Sequence, residues 1–155
     1  MKIAFLTLGC KLNYAETSTY ERGFIENGFE VVPWNEKADI YLVNTCSVTA
    51  TSDSKSRNLV RKVHRVNPEA KIVVTGCSAQ LRRAEIERIE GVTRVFGAEE
   101  KALVVPESLA LLGVVPAVHG DAAHCGAVPA VFGAYSTGER TRSFLKVQDG
   151  CDNFC

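Results

Sequence analysis

Over its first hundred residues the chain alternates short apolar runs with stretches of helical character, a rhythm that restricts it to a parallel sheet flanked by helices. Ile3-Ala4-Phe5-Leu6-Thr7-Leu8 is nearly continuously apolar, as a strand buried on both faces should be. Asn13 followed by Glu16 signals a helix start, through a side-chain cap and a reciprocal acid, and Gly28 closes that helix. Phe29 to Val32 is a brief second strand stopped by Pro33, and Asp39 to Asn44 is the third. A helix from about Ala50 to Val66 ends at Asn67-Pro68, because a residue preceding proline disfavours the helical region. Lys71 to Thr75 is a fourth strand, residues 79–90 a helix closed by Gly91, and Val92 to Phe96 a fifth strand. Together these predict a five-stranded, doubly wound, flavodoxin-like α/β domain over residues 1–105.

The pattern then changes. Leu103 to Leu112 reads as a last helix, and the segment 106–141 as the end of that helix followed by a linker in which Asp121 is the one formal charge between Ser108 and Gly138. From Arg142 a new strand-like run, Ser143 to Gln148, leads into Asp149-Gly150-Cys151, so residues 142–155 are expected to open a second domain that stops at Cys155.

The 155 residues carry 18 basic and 18 acidic side chains, a formal net charge of zero. This balance removes the simplest electrostatic case for a partner of nucleic acid or anionic membranes, while leaving room for a local basic patch. The length fits one complete domain rather than two. With 46% hydrophobic and 23% charged residues the composition is that of a globular protein, not a disordered one. The opening MKIAFLTLGC lacks the long apolar core and cleavage site of a signal peptide. The most apolar later stretch, Ser108 to Val118, is shorter than the ~20 residues that span a bilayer. A cytoplasmic protein with no membrane partner is expected. There, six cysteines are metal, cluster or redox ligands, or plain buried thiols, rather than disulfides.

Laid on the strand map, three cysteines share one offset. Cys10 follows the first strand, Cys46 the third and Cys77 the fourth, each one or two residues past the strand's C-terminal end. In an open parallel sheet those ends form one edge, where ligands bind. Three thiols converging there suit a metal or a cluster, with buried or redox thiols as the bland alternative. An iron–sulfur cluster normally takes four cysteines, so three would leave one iron open to an exogenous ligand. His64, His119 and His124 do not fall at strand ends. Gly9 and Gly76, just before two of the cysteines, fit either close backbone approach to a bulky ligand or simple turns. Cys151 and Cys155 form a separate C-x₃-C pair, and Cys125 reads as a free thiol.

The strings Leu8-Gly9-Cys10-Lys11-Leu12-Asn13 with Glu16-Thr17, Asn44-Thr45-Cys46, Thr75-Gly76-Cys77-Ser78-Ala79-Gln80, and Phe144 through Cys155 resemble the methylthiotransferases, a radical S-adenosylmethionine (SAM) family. The form around Cys10 looks most like the members that modify N6-threonylcarbamoyladenosine at position 37 of tRNA. Members acting on isopentenyladenosine, or on a ribosomal-protein aspartate, are the alternatives. The resemblance implies that Cys10, Cys46 and Cys77 hold an auxiliary [4Fe–4S] cluster involved in sulfur insertion. It implies further that Cys151 and Cys155 are the first two ligands of a radical-SAM [4Fe–4S] cluster that binds SAM. The third cysteine of that C-x₃-C-x₂-C motif would fall three positions beyond Cys155. The resemblance also implies tRNA as substrate and an electron donor such as flavodoxin. The sequence is thus expected to be an N-terminal fragment without the family's barrel and small RNA-binding domains, and the chain alone is expected to be inactive as an enzyme. The rival reading is a non-enzymatic flavodoxin-like binding module with incidental cysteines, although no phosphate-binding glycine loop follows any strand.

Three further expectations concern single features. Asn13 and Glu16 are read chiefly as a capping pair. Lys55, Arg57, Arg61, Lys62 and Arg65 form a basic arc opposite Leu59, Val60, Val63 and Val66, either a solvated face or a surface for tRNA phosphates. Trp34, Tyr14 and Tyr41 are read as packing residues, since they offer no regular stacking array for single-stranded RNA.

Overall fold

The computed structural model describes residues 1–45, 50–115 and Ala134, with the side chains of the second block described from Ser54 onward. Five strands, β1 (Lys2–Thr7), β2 (Glu30–Val31), β3 (Ile40–Thr45), β4 (Lys71–Gly76) and β5 (Val92–Val95), form one sheet in the order β2-β1-β3-β4-β5. Every pairing is parallel. That is the flavodoxin-like order, and the fold expected from the alternating rhythm is the fold observed.

Side chains alternate across the sheet and fill two separate cores. Ile40 and Leu42 of β3 point to one side, where they meet Ile3, Val73 and Phe96, and Tyr41 and Val43 point to the other with Ala4, Leu6, Ile72 and Val74. All six residues of β3 are buried, which is why its sequence is unbroken by a charge. The first core is covered by α1 (Lys11–Glu26) through Tyr20 and Phe24, and by α5 (Val104–Leu111) through Val104 and Leu109. The second is covered by α2 (Ala50–Val66), whose Val60 and Val63 are buried with Leu59 and Val66 packed beside them.

Gly28 ends α1 as expected. Its φ of +80° lets the Gly28 N–H bond to Ile25 and the Phe29 N–H reach back to Phe24, and the Phe24 and Phe29 rings meet edge-on at 5.3 Å. Pro106 sits in the first turn of α5, where a missing N–H breaks no helical bond.

The helix expected over residues 79–90 is instead two short ones, α3 (Cys77–Leu81) and α4 (Arg83–Glu87), broken at Arg82. The reason is the charge pattern. A straight helix burying Ala79 and Ile86 would carry Arg82 and Arg83 on the same stripe, three and four residues on. The break keeps Ala79 and Ile86 inside while both guanidiniums bind carboxylates outside. A 3₁₀ helix, Ala98–Leu103, leads from β5 into α5.

Of the aromatic residues expected to pack, Tyr41 is fully buried and Trp34 lies against the second core, but Tyr14 is exposed on α1. At 36% exposed it is outside both buried cores. Among the described residues no helix is long and apolar enough to cross a membrane. Cys46, Cys125, Cys151 and Cys155 lie outside the described residues, as does the strand-like run from Ser143 to Gln148.

Candidate metal centre

Cys10 and Cys77 stand at the same edge of the sheet, and both are exposed. Cys10 ends the short connection from β1 and is the residue preceding α1, with extended backbone (φ −87°, ψ 176°) and no side-chain cap on the helix. Cys77 follows β4 directly and opens α3. Between these strands lies β3, whose last residue, Thr45, pairs in register with Gly76, so the end of β3 lies beside the backbone that leads into Cys77.

One amide ties this edge together. The Asn13 side chain donates from Nδ2 to the carbonyl of Leu8 (2.8 Å) and to that of Thr45 (2.9 Å), linking the chain after β1 to the end of β3. With both donors engaged, its Oδ1 faces the other way and accepts from the Cys10 thiol at 3.6 Å. Asn44 of β3 returns the link, donating to the Asn13 carbonyl (3.0 Å) and to Thr17 Oγ1 (3.2 Å). Thr7 donates to the same Thr17 hydroxyl at 2.8 Å, and Thr45 donates to the Thr75 carbonyl at 2.7 Å. The C-terminal ends of β1, β3 and β4 are therefore cross-braced by buried polar groups beneath two exposed thiols.

Gly76 is part of the brace. Its φ is +100°, and a Cβ there would lie 2.3 Å from the Thr45 carbonyl oxygen and 2.5 Å from Asn44 Oδ1. What lies against this glycine is the backbone and side chain of β3, a contact that neither a bulky ligand nor a simple turn describes. Asn44 Oδ1 and Thr75 Oγ1 are buried here without a hydrogen-bond partner.

The expected capping pair is not formed. Helix α1 begins at Lys11, two residues before Asn13, because β1 ends at Thr7 and the chain turns immediately. Asn13 is thus already in the first turn and bonds outward to the sheet. Glu16 instead meets Lys101 of the 3₁₀ helix in an ion pair at 2.9 Å, the carboxylate side chain 2% and the ammonium side chain 10% exposed. Lys101 was not singled out in the sequence. Its signal is weak, a lone lysine in an acidic stretch, and its partner lies 85 residues away.

Next to this pair the start of the 3₁₀ helix is fixed electrostatically. Glu100 accepts from the Gly97 N–H at 2.7 Å and from Arg83 at 2.8 Å, while Arg83 also bonds Glu87 at 2.9 Å. Burial pushes the Glu100 carboxyl up, but the Gly97 N–H and the Arg83 guanidinium outweigh it and hold the group below its ordinary value. Hydrogen bonds to Glu87 and Glu100 hold Arg83 charged still more firmly.

Among the described residues no three His, Cys, Asp or Glu side chains come together as a metal site; two of the three candidate thiols, Cys10 and Cys77, are described. The donor chemistry of the edge nonetheless fits a thiophilic group: two accessible sulfurs and a braced backbone beneath.

Comparison with known proteins then decides the family. The profile of the uncharacterized protein family UPF0004 matches residues 2–97, which is most of the chain and includes the whole braced edge. The chain belongs to this family. It is 38% identical over 161 residues to the threonylcarbamoyladenosine tRNA methylthiotransferase of Bacillus subtilis, an alignment covering 99% of this chain and 34% of that relative. The enzyme of the same name from Aquifex aeolicus is also 38% identical, covering 100% of this chain and 38% of the relative. A tRNA-2-methylthio-N(6)-dimethylallyladenosine synthase of Wolbachia pipientis is 30% identical over 154 residues, 96% of this chain and 35% of that protein. The resemblance to methylthiotransferases read from the cysteine motifs is thus matched by relatives of that name. The chain spans about a third of the length of the curated relatives it matches.

Proposed function

We propose that this chain is the cluster-holding N-terminal part of a tRNA methylthiotransferase acting on N6-threonylcarbamoyladenosine. The observation that carries the reading is the placement of Cys10 and Cys77 as exposed thiols on one braced sheet edge, the edge at which β3 also ends. Cys10, Cys46 and Cys77 would hold an auxiliary [4Fe–4S] cluster, and Cys151 and Cys155 two irons' worth of ligation for a second, SAM-binding cluster completed further along the protein. Bound there, these groups supply radical hydrogen abstraction, sulfur and methyl, with electrons from a donor such as flavodoxin. The transfer chemistry is radical SAM chemistry, and the setting is the cytoplasm, where tRNA is modified. The division into a domain at 1–105, a linker at 106–141 and the opening of a second domain at 142–155 follows from the same reading.

The protein's own part is preorganisation. Asn13 and Asn44 hold the strand ends in register before any metal arrives, so ligation need not order the loops. Glu16, the acid of the same motif, is buried and paired with Lys101.

Anaerobic reconstitution with iron and sulfide tests this. The chain should take up about four irons, with the visible absorption of a cluster, and a Cys10/Cys46/Cys77→Ala variant should not. Equal iron in both proteins would remove the three-thiol site. A complete protein carrying this domain should form the methylthio nucleoside in tRNA, and mass spectrometry of digested tRNA identifies which one.

A further inference from the structure

Among the described residues a concavity also lies away from the thiol edge. It is an open groove of about 760 Å³ between α2 and α4, lined by Arg57, Arg61 and Arg65 of α2 and by Arg88 at the end of α4, with His64 at its base. The three α2 arginines recur every four residues, so they lie along one side of the helix in steps of about 6 Å. Against these four guanidiniums stand two acids, Glu85 and Glu90, leaving 4 − 2 = +2 formal charges in a chain whose net charge is zero.

The acids do not neutralise the groove. Glu85 pairs with Arg57 at 3.6 Å and with Arg82 at 3.8 Å. Glu90 is 92% exposed and only grazes His64 at 4.0 Å. Among the described residues Arg61, Arg65 and Arg88 have no acidic partner. Lys62, on the adjoining side of α2, is occupied over the Trp34 ring at 4.3 Å. Val60 and Val63 anchor the helix from beneath, so the arginine row stands on a rigid support.

We propose that this groove seats the phosphodiester backbone of an RNA strand, a stretch of the tRNA away from the modified nucleoside. Arginine forks bind phosphate oxygens two at a time, and a row of them spaced along a helix suits successive phosphates. The guanidiniums line a concavity, a shape that takes a strand rather than a flat membrane surface. Contacts of this kind position an RNA without reading its bases. The proposal rests on the tRNA reading above and adds the face of the domain that the RNA crosses.

The test measures binding of unmodified tRNA to this chain by fluorescence anisotropy over a range of salt, for the wild type and for Arg61→Ala/Arg65→Ala. Both side chains are exposed, and an unchanged thermal melt verifies the fold. The double variant should bind tenfold or more weakly, and the slope of log K against log salt should fall by about 1 to 2. Wild-type and variant curves that coincide would overturn the groove, and so would absence of binding by the wild type at low salt. Poly-glutamate displacing tRNA as well as unlabelled RNA does would overturn it in favour of an acidic protein partner. Iron uptake measured on the same preparations separates the two readings: its loss in the wild type counts against the enzyme, whereas retained iron with unaltered RNA binding counts against the groove alone.

Discussion

The carboxamide of Asn13 commits both N–H donors to main-chain carbonyls of two different strand ends, and Asn13 is 1% exposed. Truncation leaves the Thr45 carbonyl buried and without this donor, which costs about 2–3 kcal/mol once the lost bonds and the desolvated acceptor are counted. Asn13→Ala should therefore lower the urea midpoint with the slope unchanged, and it should release iron to a chelator faster than the wild type. A variant that is less stable but holds iron as tightly would confine Asn13 to the fold. The same residue shows why spacing misleads at this scale. Asn13 and Glu16 have the sequence of a capping pair, yet which atoms they meet depends on β3, 32 residues on, and on Lys101, 85 residues on. No local rule carries that information.

At the scale of elements, the ion pair between Glu16 and Lys101 joins α1 to the 3₁₀ helix through nearly dry surroundings. Removing one partner strands a charge: Lys101→Met should destabilise by about 3–5 kcal/mol in chemical denaturation, and Glu16→Leu added to it should recover most of the loss. The start of the 3₁₀ helix responds to acid. Glu100 is held below its ordinary value of 4.5, so its contribution is present above that value and is lost as the pH falls through the lower, folded one. Between neutral pH and about pH 3 the wild type should lose about 0.5–1 kcal/mol more than Glu100→Gln, the figure kept small because Arg83 is well exposed to solvent. Melting curves across that range check it. Elements with an unambiguous pattern were readable from sequence: β3 and β4 as unbroken apolar runs, α2 as an apolar arc opposed by a basic one. The break at Arg82 was not, because a period of 3.6 counts apolar positions and passes over two arginines sitting where the stripe should continue.

For the whole molecule, the strand order follows from connections that stay on the surface, and it gathers the chain after β1, β3 and β4 at one edge. The placement of Cys10 and Cys77 was legible for this reason, since topology alone brings the ends of β1 and β4 to that edge, while Cys46 lies outside the described residues. The bracing of that edge was not legible, since it is built from polar atoms whose partners the topology does not name. The groove was half legible, the α2 arginines in the charge run, Arg88 and the concavity only in three dimensions.

The sheet also finishes abruptly at both sides. Among the described residues β2 is two residues long and is followed by Pro33, and β5 carries Arg94 bound to Glu107. A short strand, a proline and a charged rim are poor templates for a foreign strand to copy. Neither described side of the sheet thus invites a neighbour's strand, and crowding many copies together should leave them separate.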